Sequence, residues 1–553
     1  MFRENRTHLQ TALFNTTTLM HPRTTAQLKK SWAPIYYEHV FCKIDEKKFA
    51  PLYCPDNGSP NKPVNILLSL EFIKHLYDYT DEQLLEQYYF NYQIAYALGQ
   101  RNLGELYICE RTLYDFRRRV YEYTLKHPEE EDLIFQQFQE LLGHFIAITK
   151  IKTDEQRMDS TAIMPNIKRA GRLALAFDVL KQGVAACPQE LLPETLKKAL
   201  EPAFKTEVLY HSRSQDVKAR LEKILELQEQ LVVITHSMPG IAGLPQIKLV
   251  QRFIEEQTTY DPEQKKRVVK ENKDISPDSL QSAYDPDATY RKKGNKEQVG
   301  YVCNLTETCS EDNPVQLLTD YTMEKNIKAD VEMATERLPE IKERTGLTDL
   351  YADGGFYGED THRKAEEELG VKMHYTDLTG RKPAADKIPL ADFSIENHKK
   401  VLACPQGQVP THTFFDEPNR KITAWFDPQI CRECPCREQC PVKIQKKKAL
   451  LQFNQSALLA AETRKDLANA ECRRQNISKR AAIEGTISAV KRGRGASKLA
   501  VRGGLKCALV MGLKCIAQNF QQLKRWFLNQ ARDAKGISVK PKTPTLQGVS
   551  VPV

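Results

Sequence analysis

The sequence predicts an α/β protein in which a mixed-sheet core follows a helical N-terminal domain and is interrupted by two insertions. Three observations lead to this prediction: helical apolar periodicity before residue 146, β-type segments on both sides of a helical stretch, and a dense group of cysteines between residues 381 and 445. The 553 residues exceed one compact domain. At roughly 150 residues per domain, about three or four units are expected.

Composition is that of a folded, non-secreted protein. Charged residues make up 28% and apolar residues 41% of the chain, which is ordinary for a globular protein. No secretory signal and no apolar run of about 18 residues occur, so we expect a cytoplasmic protein without a membrane partner. Five of the 14 cysteines fall between Cys404 and Cys440, which favours a metal site over a disulfide framework.

Residues 1–146 are predicted to form a helical DNA-binding domain. Apolar residues recur at helical spacing from Ile66 to Ile73. The helix that begins at Glu110 places apolar residues on one side and a run of arginines largely elsewhere. We therefore name Arg117, Arg118 and Arg119 as candidate DNA contacts, although the same pattern is typical of an ordinary surface helix.

The core is predicted to begin at residues 147–165, a strand that carries Asp159, and to pause for an all-helical insertion at 166–280. It continues at 281–380, with strands at about 297–306, 314–323, 347–353 and 371–376 and helices at about 328–345 and 360–369. This order of strands and helices is that of an RNase H-like domain.

The remaining chain is predicted to comprise a loop-rich, Cys-rich insertion at 381–445, a helical part of the core at 446–535, and a disordered tail at 536–553. Between Glu471 and Lys540, 16 lysines and arginines stand against 3 acidic residues. Such a segment indicates contact with phosphate backbones. A solvated helix face is the alternative.

Asp159 on the first strand and Asp353 at the end of a later strand are the candidate metal-binding carboxylates. A nuclease core of this order needs acidic groups on adjacent strands and a third on a crossing helix, because Mg²⁺ prefers oxygen ligands and two ions clamp the reacting oxygens. Taken alone, Asp159 also fits a turn or cap residue, and Asp353 an Asp-Gly turn.

The third acidic residue is Glu484, within Arg480-x3-Glu484-x6-Lys491. These side chains fall at i, i+4 and i+11 and share about one helix face. A carboxylate between two cations stays ionised as a metal ligand, while Arg480 and Lys491 are candidate contacts to DNA phosphates. The alternative is a surface ion pair. The chain lacks a Walker lysine loop, a Rossmann glycine fingerprint and a nucleophile elbow, so ATP or covalent serine chemistry has no support.

These motifs resemble those of bacterial insertion-sequence transposases of the DDE class. The third motif of a large group of them reads Tyr-x2-Arg-x3-Glu-x6-Lys, with Ile477 here in place of the tyrosine. Met158-Asp159 and Ala352-Asp353-Gly-Gly-Phe-Tyr are similar to the first and second motifs. The resemblance implies two Mg²⁺ (or Mn²⁺) ions per site, cleavage at the ends of a DNA element, and attack of the freed 3′-hydroxyl on target DNA by a homodimer.

The cysteines predict a structural Zn²⁺ site. Cys431-x2-Cys434-x-Cys436-x3-Cys440, preceded by Cys404, offers five thiols for four tetrahedral positions. We favour Cys404, Cys431, Cys434 and Cys440 as ligands, with Cys436 spare, because a loop-rich region with little core of its own would depend on metal. Free cysteines are the alternative.

Two other functions remain open at this point. One is a nuclease of the same fold that cuts DNA but does not join it, and the other is a non-catalytic DNA-binding protein descended from a transposase. The presence of all three carboxylates argues against the second.

Overall fold

The structure is a computed structural model that describes residues 1–10, 15–210, 216–263, 266–378 and 386–533. The chain divides into two compact units. The first contains Met1–Lys152, Glu311–Leu317 and the residues from Gly512, and the second contains Thr153–Ser310 and Leu318–Met511. No helix within these described ranges is long and apolar enough to cross a membrane.

Helices form most of the first unit. Their starts follow from local capping, since Thr80 and Gln83 form a capping box and the Asp132 carboxylate accepts from two amides. The buried helix Val64–Tyr77 is apolar on most faces, which suits a central position. In chain order, helices α1 to α8 span Thr16–Leu19, Pro22–Lys30, Trp32–His39, Val64–Tyr77, Asp81–Phe90, Tyr92–Ala97, Glu110–Lys126 and Leu133–Thr149.

After strand β1 (Glu155–Ile163), the insertion is mostly helical and has its own apolar core. Helices α9 to α14 span Arg172–Ala185, Glu194–Lys197, Pro202–Leu209, Val217–His236, Pro239–Ala242 and Pro245–Gln257. The prediction of an all-helical insertion was wrong in one detail. Strands β2 (Thr258–Asp261) and β3 (Lys266–Val269) form a hairpin at its end, where Thr, Tyr and Val favour extended backbone.

The central sheet of the second unit is mixed, with strand order β4-β5-β1-β7-β8 and with β6 also paired to β5. Strand β1 pairs antiparallel with β5 and parallel with β7. Most of these elements follow the predicted order, but β4 was not predicted. The elements are β4 Thr289–Lys293, β5 Lys296–Thr308, β6 Leu318–Lys325, α15 Asp330–Thr345, β7 Asp349–Ala352, α16 Glu359–Arg363 and β8 Lys372–Tyr375.

The Cys-rich region is a small β-structure, which corrects the prediction of a loop-rich insertion with little core. Its strands enclose buried apolar residues such as Ile422, Phe426 and Leu451. Its elements are β9 Ser394–Glu396, β10 Lys400–Ala403, β11 His412–Asp416, β12 Lys421–Phe426, α17 Pro428–Arg432, β13 Lys443–Ile444 and β14 Ala449–Asn454.

The C-terminal helices are α18 (Gln455–Ala468), α19 (Ala470–Gly493) and α20 (Gly504–Asp533). The prediction assigned all of 446–535 to the core, but α20 contributes to the first unit from Gly512. There, the Phe520 ring lies edge-on to Tyr36 with centroids 5.0 Å apart. The tail predicted at 536–553 lies outside the described residues.

Candidate functional site

Alternate residues of β1 contact helix α19 in succession. Arg157 Nη1 donates to the Lys479 carbonyl (3.1 Å), Asp159 Oδ2 accepts from Arg480 Nη2 (2.7 Å), and Thr161 Oγ1 accepts from Lys491 Nζ (3.1 Å). Because successive side chains of a strand point to opposite faces, these three share the face that α19 covers. The helix therefore runs along β1 in a defined register.

A buried ion pair fixes α19 on this face. Arg157 Nη2 lies 2.7 Å from Glu307 Oε2 on neighbouring β5, and the other oxygen of Glu307 accepts from Thr486 Oγ1 of the helix (2.6 Å). Burial raises the pKa of Glu307, although Arg157 and Thr486 oppose the shift. Two side chains of the sheet thus bind α19 directly. Arg157 binds it at Lys479 and Glu307 binds it at Thr486, positions that flank Arg480 and Glu484 in the helix.

Asp353 follows directly after β7, in a tight turn. Its Oδ1 accepts from the Gly355 amide (2.9 Å), while the Gly354 amide donates to Asp377 Oδ1 (2.9 Å). A Cβ on Gly354 would lie 2.7 Å from the Asp377 carbonyl oxygen, so a side chain at this position would clash. The glycine lets the end of β7 approach the residues after β8.

The three predicted carboxylates meet at one guanidinium group. Arg480 Nη2 lies 2.7 Å from Asp159 Oδ2 and 3.7 Å from Asp353 Oδ2, and Arg480 Nη1 lies 2.7 Å from Glu484 Oε1. The side chain of Glu484 is 64% exposed, whereas that of Asp159 is 10% exposed. Residues far apart in sequence and on three different elements therefore face one point.

Burial sets the electrostatics of this cluster. It raises the pKa of Asp159 to about 6, aided by Asp353 and opposed by Arg480. Burial alone would lower the pKa of Arg480, but Asp159, Asp353 and Glu484 together raise it. Arg480 is accordingly a permanent cation, and the raised pKa means that Asp159 binds a proton more tightly than a solvent-exposed aspartate does.

The donor set suits a divalent cation, since Mg²⁺ and Mn²⁺ prefer carboxylate oxygens and these carboxylates already share a cation. The guanidinium of Arg480 occupies the space between them. Among the described residues, only His127, Glu129 and Glu130 place three ligand atoms within 4.8 Å of one another. That partly exposed group lies just after α7, and the carboxylates around Arg480 are more widely spaced.

A cleft of about 620 Å³ opens beside Asp353 and Arg480. Ile477, which stands where the resembling family has tyrosine, lines it and is 43% exposed. Sequence reasoning missed three further residues of this cleft: Arg291, Arg473 and the buried Asp330, which accepts from Ser160 Oγ (2.8 Å). Recognising Thr289–Lys293 as a strand could have identified Arg291 as a residue of the site, but the polar residues of this segment are typical of a loop.

Lys491 lies away from the carboxylates, in a second cleft of about 560 Å³. Its Nζ donates to the Ala162 carbonyl (2.8 Å) as well as to Thr161. Burial lowers the pKa of Lys491. The structure therefore separates the two cations that the sequence placed on one stripe, and Arg480 alone contacts the carboxylates.

The arginines of α7 differ in their surroundings. Arg117 Nη2 lies 2.8 Å from the buried Glu71 and 2.5 Å from Asp81, which gives it a structural role rather than a free surface position. Arg118 is exposed and pairs with Asp115 and Glu122, and Arg119 lies over the Tyr53 ring. Of the predicted DNA contacts, Arg118 is the most accessible.

Cys404, Cys431, Cys434 and Cys440 line one cavity of about 290 Å³. Burial, followed by the neighbouring cysteines, raises the pKa of Cys431 and Cys440. Cys436 is absent from the residues that line this cavity in the described chain, and its Sγ accepts from Gln406 Nε2 (3.2 Å). The four thiols line the same cavity, but their sulfur atoms do not all lie within 4.8 Å of one another.

Two family models match parts of the chain. One, described as a Transposase DDE domain, matches residues 403–524, a range that includes Glu484 and the cysteines but neither aspartate. The other, described as a Transposase domain (DUF772), matches residues 36–119 of the helical N-terminal region. No curated protein and no solved structure matches the chain.

Proposed function

We propose that this chain, which its two family domains indicate to be an insertion-sequence transposase of the DDE class, cleaves the ends of a DNA element and joins them to target DNA. The convergence of Asp159, Asp353 and Glu484 on Arg480 is the observation that carries the proposal. The mixed α/β architecture fits a DDE transposase. The sheet order β6-β5-β1-β7-β8 also supports an RNase H-like interpretation of the core.

Asp159, Asp353 and Glu484 would hold two Mg²⁺ or Mn²⁺ ions. When bound, such ions lower the pKa of the attacking group and stabilise the charge on the leaving oxygen. Water attacks the scissile phosphorus and the bond to the 3′ oxygen breaks, leaving a 3′-hydroxyl. In the joining step that hydroxyl loses its proton and attacks a target phosphorus, whose own 3′ oxygen departs.

Arg480 has a second task in this proposal. Once cations occupy the carboxylates, its guanidinium no longer has them as its main partners and can bind the scissile phosphate in a bidentate manner. Ile477 offers no hydroxyl to that phosphate, so Arg480 carries more of its recognition than in relatives with tyrosine at this position. The partner is DNA, and joining two ends calls for a homodimer.

A cleavage and strand-transfer assay with Mg²⁺ tests the function. Substrates are duplexes that join the element's terminal repeat to its flanking DNA, either intact or already cut at the 3′ end. Cleavage of intact ends and joining of pre-cut ends would support a transposase. Cleavage without joining would indicate a nuclease of the same fold, and binding without either would indicate a DNA-binding protein.

A further inference from the structure

The hairpin formed by β4 and β5 stands between the two clefts. Arg291 and Lys293 of β4 line the cleft that contains Asp353 and Arg480, which we call the carboxylate cleft. Residues 295–299, in the turn and β5, line the cleft that contains Lys491, which we call the Lys491 cleft. One two-stranded ribbon therefore forms a wall of both.

Cations without acidic partners line the clefts along the two edges of this ribbon, including Lys293 on β4 and its register partner Lys296 on β5. Lys293 and Arg473 are exposed in the carboxylate cleft, and Lys296 and Arg169 are exposed in the Lys491 cleft. Within the part of the chain that the structure describes, none of these four has an ion-pair partner. Arg157 and Arg117, in contrast, are paired with buried glutamates. Unpaired cations in a concave surface are suited to phosphate groups.

The position of the hairpin is fixed by the strand that also borders Asp159. Leu305 of β5 is the register partner of Asp159, and residues 296–300 of the same strand pair with β4. Gly300 has φ +133°, and a Cβ there would lie 2.6 Å from Pro165 Cδ and clash with the Ile163 carbonyl. Asn326 Nδ2 also donates to the Gln298 carbonyl (3.2 Å). The ribbon is therefore a continuation of the catalytic sheet with a defined direction.

We propose that this hairpin enters the major groove of the element's end, with the backbone of the strand to be cut in the carboxylate cleft and that of the complementary strand in the Lys491 cleft. A major groove about 12 Å wide admits a two-stranded ribbon whose strands lie about 4.8 Å apart. Asn295 at the turn then faces base edges, where an amide can pair with adenine. The inference rests on the proposed function, because that function determines which DNA strand is cut.

Phosphate interference with the full-length protein tests it. The probe is the terminal-repeat duplex with single methylphosphonates on either strand, and binding is measured in EDTA so that no cleavage is required. Lys293→Ala should remove the sensitivity to a neutral phosphate at about one position, on the strand to be cut. Lys296→Ala should do so at about one position on the complementary strand. Each variant should flatten the plot of log affinity against log salt by about one unit. Lys248→Ala, an exposed lysine on α14, is the matched control.

The outcomes separate this inference from the proposed function. If both variants lose sensitivity on the same strand, or neither loses any, the two-cleft arrangement is wrong. A rise in the fluorescence of 2-aminopurine placed opposite the hairpin would show that the bases are unstacked. The hairpin would then separate the DNA strands instead of entering the major groove, and the proposal would be wrong. If strand-specific interference is found but no cleavage occurs in Mg²⁺, the proposed chemistry fails while the groove assignment stands.

Discussion

Arg480 Nη2 lies 2.7 Å from Asp159 Oδ2, and the same guanidinium contacts Asp353 and Glu484. The cation that the sequence suggested as a phosphate ligand thus offsets part of the negative charge of the three carboxylates. Because three acidic groups near one another repel, a resident cation lowers the cost of assembling them. Arg480 is therefore expected to act on both the charge of the site and the binding of its substrate.

The first prediction concerns pH. Burial raises the pKa of Asp159 to about 6, and a metal ion binds the ionised carboxylate. Apparent Mn²⁺ affinity should be constant well above this pKa and should fall as pH drops through it, by about tenfold per unit for one released proton. Titrations of Mn²⁺ binding at a series of pH values measure this. In Arg480→Ala the midpoint should move upward, because an opposing cation is lost, and a midpoint that stayed in place would contradict the assignment.

The second prediction separates chemistry from binding. Glu484→Gln keeps size and helix propensity but removes a charge, so cleavage and joining should both fall by orders of magnitude while DNA binding survives. Asp159→Asn and Asp353→Asn should behave alike, and pairs of these changes should cost little more than one. Glu471→Gln, at the exposed start of the same helix, is the control. Normal cleavage by Glu484→Gln would exclude it as the third carboxylate.

The sequence predicted those features of the fold and the site that depend on neighbouring residues. The strand of Asp159, the turn after Asp353 and the helix of Glu484 were predicted from neighbouring residues, through β-favouring residue types, glycine position and helical spacing. The structure places all three elements as expected. Strand β4 was missed because Thr-Tyr-Arg-Lys-Lys offers no apolar alternation, since it lies at the edge of the sheet.

Other features depend on contacts that no local pattern encodes. The amphipathic pattern of α20 predicts a helix, but it does not predict that the boundary between the two units falls within this helix, at Gly512. Lys491 and Arg480 share a stripe on α19, yet they contact β1 at different points along its length, Arg480 at Asp159 and Lys491 at Thr161 and Ala162, and they line separate clefts. Likewise, the pairing of Arg157 with Glu307 joins residues 150 positions apart, and nothing in either sequence segment predicts it.

The third prediction addresses that buried pair. Glu307→Ala leaves Arg157 buried without its partner and should lower the free energy of unfolding by about 3–5 kcal/mol, measured by urea denaturation. Arg157→Met combined with Glu307→Met should be less destabilising than Glu307→Ala. Thr486→Val removes the hydrogen bond that α19 donates to the buried Glu307, so it should also lower the free energy of unfolding, by about 1–3 kcal/mol. If the double variant lost as much stability as Arg157→Met and Glu307→Met lose separately and in sum, the two side chains would not be coupled.

The fourth prediction distinguishes the arginines of α7. Arg117→Ala leaves the buried Glu71 without its ion-pair partner, whereas Asp81 keeps Lys74, and the free energy of unfolding should fall by about 1–3 kcal/mol. Arg118→Ala and Arg119→Ala should leave the fold intact, and if this helix contacts DNA they should weaken binding and reduce its salt dependence. Binding to the terminal repeat at several salt concentrations measures this. Unchanged binding in both would place DNA recognition elsewhere.

The fifth prediction concerns zinc, which we propose binds to Cys404, Cys431, Cys434 and Cys440. These thiols line one cavity, and bound zinc would ionise them. Metal analysis should find about one Zn²⁺ per chain, and replacing any of the four by serine should abolish it, whereas Cys436→Ser should not.

The consequence of zinc loss should be local. Cys404, Cys431 and Cys440 pack against an apolar core that the strands of this region already form, so removal of zinc does not leave the region without any core. Chelation should therefore loosen the cysteine loops, seen as faster hydrogen exchange between residues 428 and 442, while the exchange of β12 and β14 changes little. If chelation exposed β12 and β14 equally, zinc would be needed for the fold of the whole region, and if all five thiols titrated freely in the purified protein there would be no zinc site.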